Sequence, residues 1–262
     1  MVGKKIYIIS DLEGVAGVVS KDQLGPEGQE YEIARSYLTQ EINAAIEACV
    51  ESEITDITVL DGHGHPRGYN IDLRIADDRA EYVIGTDRST TLPFLDKSFD
   101  AVFLIGYHAM AGSKKAVWSH TQSWESIKSY KINGKLMGEI GQMAIIAGAF
   151  NVPIVLVTGD TAAITEAKVT IPDIVGVEVK EGDSRFCAKT VTPVKSQVLI
   201  KQGACEALKL IGHIKPIKID FPCEIEMVVS DPNYADQLEK DGMQRISKLK
   251  LSKSGQSFQD IP

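Results

Sequence analysis

No apolar stretch in the 262 residues approaches the ~18 needed to span a bilayer. The start, MVGKKIYIIS, carries an apolar run too short for a secretion signal and meets an acidic pair at once. The chain therefore reads as cytoplasmic, with no membrane partner expected. Cysteine is scarce: Cys49, Cys187, Cys205 and Cys223 form no CxxC pair and are too few for a disulfide-stapled protein of this size, so buried free thiols are expected. Positive charge is short as well. With 28 basic against 36 acidic residues the net charge is -8, which argues against a surface built to neutralise nucleic-acid phosphates or anionic lipid. Small or neutral partners are favoured, and no nucleic acid is expected. There is also no long Pro- or Ser-rich linker, no low-complexity tract and no internal repeat.

What the chain does have is an ordinary globular composition, 44% hydrophobic and 24% charged with 22 glycines, and enough length to bury a core. Short apolar runs recur with helical stretches between them: IYII at 6 to 9, ITVL at 57 to 60, AVFLI at 101 to 105 and PIVLV at 153 to 157. Runs that are continuous rather than alternating predict strands covered on both faces, the mark of a mostly parallel α/β sheet. Between the first two, Ala34, Leu38, Ile42, Ala45, Ile46 and Cys49 fall at spacings of three and four and predict one long amphipathic helix. Further helices are expected at LMGEIGQMAIIAGAFN and after Gly159, with Asp160 or Thr161 as the cap.

Beyond residue 171 the pattern changes to a strand-like VGVEVK, a helix from about 193 to 212, and an alternating CEIEMVV that predicts a half-exposed antiparallel strand. The expected fold class is α/β, a mostly parallel sheet covered by helices, with a smaller carboxy-terminal α+β portion. Residues 1–170 would form the α/β core and 171–262 an α+β extension of the same body, with a soft boundary.

The chemistry-bearing residues cluster after the strands. The first run ends in Ser10-Asp11-Leu12-Glu13-Gly14, the second in Asp61-Gly62-His63-Gly64-His65 and the third in Gly106-Tyr107-His108. In an open parallel sheet the carboxyl ends of the strands line the ligand crevice, so three segments deliver ligand-type side chains to one edge. Carboxylates brought together cannot all stay ionised without a cation, and a metal resolves the repulsion. Mixed Asp, Glu and His ligands suit Zn, Mn, Fe or Co, and several carboxylates suit a two-metal cluster. Each piece alone also has an ordinary structural reading: Asp and Gly as turn formers and caps, His108 as a satisfied half-buried histidine.

An ordered set of motifs narrows the choice. SDLEGVAG, ARSYLTQEINAAIEA, LDGHGH, IGYHAMAG, WSHT, INGKLMGEIG and VPIVLVTGD, spanning Ser10 to about Asp160, resemble the D-aminopeptidase family of zinc peptidases. The resemblance implies metal ligands at Asp11, Glu13, His63, His108 and Glu139, a catalytic histidine at His120, two zinc ions per chain and a ring-like homo-oligomer. Only the resemblance distinguishes Glu139 from a solvated first-turn glutamate, and His120 from a packed loop histidine. It implies a metal-dependent aminopeptidase that removes the amino-terminal residue of short peptides containing D-amino acids, using metal-activated water with His120 as general acid/base. A nucleophilic His120 ranks lower, and Asp61 is expected to orient the His63 ring. His65 is expected to be exposed and His213 structural.

Two departures stand out: Thr161 replaces an acidic residue common after Gly-Asp, and the tail MQRISKLKLSKSGQSFQDIP matches the family's closing strand and helix poorly. The alternatives are a two-metal hydrolase of another small amide or ester, and a catalytically silent α/β binding module.

Overall fold

Buried on both faces, the four apolar runs form the middle of one sheet. The computed structural model describes residues 4–64 and 69–261. In its first half, β1 (Lys5–Ser10) leads through α1 (Tyr31–Glu51) to β2 (Asp56–Asp61), β3 (Glu81–Val83) and β4 (Ala101–Tyr107). The chain then leaves the sheet for a hairpin, β5 (Ile127–Ile132) and β6 (Lys135–Leu136), before α2 (Glu139–Ala149), β7 (Ile154–Asp160) and α3 (Thr161–Thr170). The remainder adds β8 (Val175–Ser184), β9 (Cys187–Thr190), α4 (Pro193–Lys209), β10 (Cys223–Val229), α5 (Pro232–Lys240), β11 (Gln244–Ser247) and β12 (Lys250–Gly255).

The larger sheet has the order β3-β2-β1-β4-β7-β8-β9. All its pairings are parallel except the β8–β9 edge. The chain moves outward from β1 through β2 in one direction and from β4 through β7 in the other, so the order reverses between β1 and β4. Right-handed crossovers in opposite directions put their helices on opposite faces. Accordingly α1 packs with α4, and α2 with α3. The helical spacing on α1 places Ala34, Leu38, Ile42, Ala45, Ile46 and Cys49 in the core, all fully buried. Asp160 caps α3 by accepting from the Ala163 amide at 2.8 Å.

A smaller antiparallel sheet, β11-β12-β10-β5-β6, stands beside it. CEIEMVV alternates between buried and open as expected. Its hairpin turns on Asn133 and Gly134, both at positive φ (49° and 76°), the type I′ geometry that Asn-Gly favours. The division placed near residue 170 falls between α3 and β8. Sheet membership crosses it in both directions, because β8 continues the large sheet while β10 pairs with β5. No described helix is long and apolar enough to cross a membrane.

Candidate metal centre

The strand order places its reversal between β1 and β4, where a ligand crevice opens at the carboxyl edge. Asp11 and Glu13 follow β1, His63 follows β2 and His108 follows β4. Backbone contact sets their spacing. The Asp11 amide donates to Ile105 O at 2.8 Å and the Gly14 amide to Gly106 O at 2.7 Å. A side chain at position 14 would place its Cβ 2.1 Å from Tyr107 O, and one at 106, where φ is +77°, 2.2 Å from Asp11 O. Only glycine lets the two loops touch.

His120 and Glu139 arrive from the excursion between β4 and β7. Glu139 is the first residue of α2, and its Oε1 accepts from the Gln122 amide at 2.6 Å. His120 is held by its own amide on Ala109 O at 3.1 Å and by Nδ1 on Trp118 O at 2.7 Å. Trp118 and Gln122, two residues either side of it, both adopt positive φ (50° and 60°). Such non-glycine backbone persists only where its surroundings hold it. Trp118 is so held, its indole donating to Val19 O at 3.0 Å and its amide to Arg185 O at 3.1 Å.

All six residues singled out in the sequence lie together, in two groups of three whose ligand-type atoms sit within 4.8 Å of one another: Asp11, Glu13 and His63, then His108, His120 and Glu139. In the first, His63 Nδ1 is 3.1 Å from Asp11 Oδ1 and 3.0 Å from Glu13 Oε2, while its Nε2 donates to Leu24 O at 2.9 Å. In the second, His108 Nε2 stands 3.4 Å from Glu139 Oε1 and His120 Nε2 stands 3.7 Å from the same oxygen. Asp11 joins the groups: its Oδ2 lies 3.4 Å from His108 Nε2.

The electrostatics follow from burial against charge. Burial and the neighbouring Glu13 push Asp11 up to about 7. Burial works to raise Glu13 too, but the His63 charge holds it well below the ordinary carboxylate value. Glu139 likewise falls, against its burial, to about 2 beside His108. Burial lowers both His63 and His108, yet the surrounding carboxylates outweigh it and hold each imidazole well above its usual value. His120 goes the other way. Burial and the charge on His108, stacked on it with ring centroids 3.9 Å apart and planes 13° apart, lower it.

Two buried carboxylates and the half-buried Glu139 demand positive charge, and divalent cations supply it as well as protonated imidazoles do. The donor set fits such ions in one further respect. Asp11 Oδ2 and His108 Nε2 are buried without a hydrogen-bond partner and face each other. Buried polar atoms of this kind are rare unless something else ligates them. His63 and His108 each commit their other ring nitrogen to a backbone carbonyl, Leu24 O and Ala109 O, the arrangement that aims an imidazole at a metal.

Asp61 acts differently from its expected role. It accepts from the Asn70 amide and side chain, at 2.6 and 2.7 Å, and Asn70 in turn donates to the His63 carbonyl at 2.9 Å. Asp61 thus anchors the backbone that carries His63, and the ring is oriented by Leu24 instead. Leu24, Asn70 and Gln122 have no motif that would have marked them, since two of the three contacts run through main-chain atoms. His65 lies outside the described residues, and His213 is exposed in the turn after α4. Thr161 meets an acid of its own, its hydroxyl donating to Glu178 Oε2 at 3.2 Å.

Asp11, Glu13, His63, His120 and Glu139, though not His108, line a cavity of about 430 Å³ walled by Leu24, Tyr107, Trp118 and Trp124, with Asp22 and Glu125 among its lining. That is room for a small molecule. A family model described as D-aminopeptidase matches residues 4–261, so the likeness runs past Asp160 and includes the tail. A D-aminopeptidase of Bacillus subtilis (strain 168) is 29% identical over 214 residues, which cover 81% of this chain and 77% of that protein. The solved structure of a Zn-dependent D-aminopeptidase from Bacillus subtilis, DppA, described as a self-compartmentalizing protease, superposes with a TM-score of 0.93 at 25% identity, covering 98% of this chain and 93% of that one.

Proposed function

This chain belongs to the D-aminopeptidase family, and from that premise we propose how its centre performs a metal-dependent aminopeptidase reaction. Two divalent ions, zinc in the first instance, would be held by Asp11, Glu13, His63, His108 and Glu139. The observation that carries this reading is the pair of buried atoms without hydrogen-bond partners, Asp11 Oδ2 and His108 Nε2, between two groups that each offer three ligand atoms. The zinc dependence of the Bacillus relative supports the choice of metal. When bound, the ions supply Lewis acidity, polarising the scissile carbonyl and lowering the pKa of water.

The chain's own residues do the rest. Because the Trp118 carbonyl accepts from Nδ1, neutral His120 carries its lone pair on Nε2, which faces the carboxylates of Glu13 and Glu139 at 4.0 and 3.7 Å. Burial and His108 keep His120 neutral near pH 7, so it takes a proton from the attacking water and passes it to the leaving amine. Asp22 and Glu125 in the cavity lining present negative charge to the α-ammonium of a short peptide. The D-stereochemistry of the amino-terminal residue and a ring-like homo-oligomer rest on the relatives, one of them described as self-compartmentalizing.

The test is metal analysis of the purified chain together with a panel of L- and D-peptides, N-acylated peptides and simple esters. We expect about two ions per chain and hydrolysis only of substrates with a free α-amine. Absence of bound metal after incubation with zinc, or equal turnover of N-acylated peptides, would overturn the reading.

A further inference from the structure

Lys180, on β8, is a charged side chain only 4% exposed, and its ammonium bonds to main-chain oxygens rather than to a carboxylate. An ammonium has three N–H donors. Lys180 directs all three at main-chain oxygens of one loop, those of Glu13, Val15 and Val18, at 2.5 to 2.8 Å. Glu41, on α1 and 1% exposed, accepts from the Ala16 amide at 3.0 Å. Thr190 of β9 accepts from the Gly17 amide at 2.9 Å. The loop that follows β1 is therefore gripped in alternation: carbonyls 13, 15 and 18 by a cation, amides 16 and 17 by oxygens.

Three carbonyl dipoles aimed at one buried point repel one another unless a cation stands there. The first belongs to Glu13, whose carboxylate reaches His63 Nδ1. Without the ammonium, relief of that repulsion would shift the backbone at Glu13, and the direction of its carboxylate depends on that backbone. The other group is less exposed to this movement: neither His108 nor Glu139 hydrogen-bonds to segment 15–18, and the loop carrying His108 meets this one through the Gly14 amide on Gly106 O and the Asp11 amide on Ile105 O. Lys180 itself lies outside the run of motifs from Ser10 to Asp160, in the carboxy-terminal portion of the chain.

We propose that Lys180 is a positioning residue for the centre: by gathering the carbonyls of Glu13, Val15 and Val18 it fixes where the Glu13 carboxylate points, and so sets the affinity of the ion held by Asp11, Glu13 and His63. The proposal rests on the reading of those three residues as ligands. A planar guanidinium cannot aim three donors at carbonyls converging on one point, so charge alone does not replace Lys180.

The experiment uses the full chain stripped with a chelator and titrated with zinc against a chromophoric competitor, giving two affinities. Glu13→Gln in the same assay identifies which belongs to the first group, and a thermal melt reports folding. Lys180→Met is expected to weaken that affinity by about 10- to 100-fold, the usual effect of removing a group that orients a ligand, and to leave the other unchanged. Lys180→Arg is expected to weaken the same ion by a smaller factor. Two unchanged affinities in folded Lys180→Met, or two affinities lowered alike, would overturn the proposal. Should Lys180→Met not fold, Lys180→Arg decides alone, and unchanged zinc binding at both groups overturns it. Wild-type chain that takes up no zinc removes the ligand reading itself, whereas normal zinc uptake with an indifferent Lys180→Met removes only the role of Lys180.

Discussion

Asp11, Glu13 and His63 set one imidazole against two carboxylates, whereas His108, His120 and Glu139 set two imidazoles against one. At the first end both ring nitrogens of His63 are committed, Nε2 to Leu24 and Nδ1 to the acids. At the second end Glu139, Asp11 and Glu13 hold His108 up against its burial, while burial and the charge on the stacked His108 lower His120. On the proposed reading, one of these two imidazoles holds metal and the other exchanges protons. That asymmetry would separate binding from chemistry within a few ångströms.

Removing a holding imidazole should have the largest effect. His63→Ala and His108→Ala are each expected to lose metal and, with it, all measurable hydrolysis, checked by elemental analysis and rate on the same preparation; full metal content in either variant would break the comparison. Next comes His120→Ala, expected to keep metal and fold while kcat falls by about 10² to 10⁴, the worth of a positioned acid or base. Loss of metal as complete as in His108→Ala would make His120 a holder too.

Gly106→Ala should act on both ends at once. Its φ of +77° and a Cβ 2.2 Å from Asp11 O leave no room, so a melt should show a loss of at least about 1–3 kcal/mol. A subtler effect concerns Glu41, behind the first end, which burial raises to about 7 from 4.5. The folded state binds its proton more tightly than the unfolded chain does. Its contribution to stability is therefore full below about pH 4.5 and lost as pH rises through about 7. Urea melts of Glu41→Gln should lack that part of the decline, and parallel pH profiles for variant and wild type would contradict it. Least of all, serine at Cys187 and Cys205 should leave the rate per folded molecule unchanged, since no cysteine lines the cavity. Serine at the buried Cys49 and Cys223 should cost only stability.

How far the sequence discloses this centre depends on which element carries each residue. β1, β2, β4 and β7 are legible because strands covered on both faces read as unbroken apolar runs, and α1 because its buried positions repeat every three or four residues. Asp11, Glu13, His63 and His108 follow from that, since a parallel sheet delivers its strand ends to one edge. Glu139 and His120 lie on a detour into the second sheet, where β5 pairs with β10 about ninety residues later. Non-local pairing leaves no local pattern, so only family likeness named them. Proximity in sequence points Asp61 to the His63 ring, but its carboxylate accepts from Asn70 instead. The grip of Lys180 on backbone carbonyls has no sequence signature at all.

The contact of Gly14 with the Gly106 and Tyr107 carbonyls makes the gap between the loops after β1 and β4 a matter of main-chain thickness. Peptide groups have the same dimensions in every sequence. Drift in the core beneath, Ile for Val or Leu for Met, can shift helices by fractions of an ångström while these loops stay abutted. The centre thus carries its own gauge, cut from the polymer backbone rather than from side chains, and it stays calibrated as the rest of the molecule evolves.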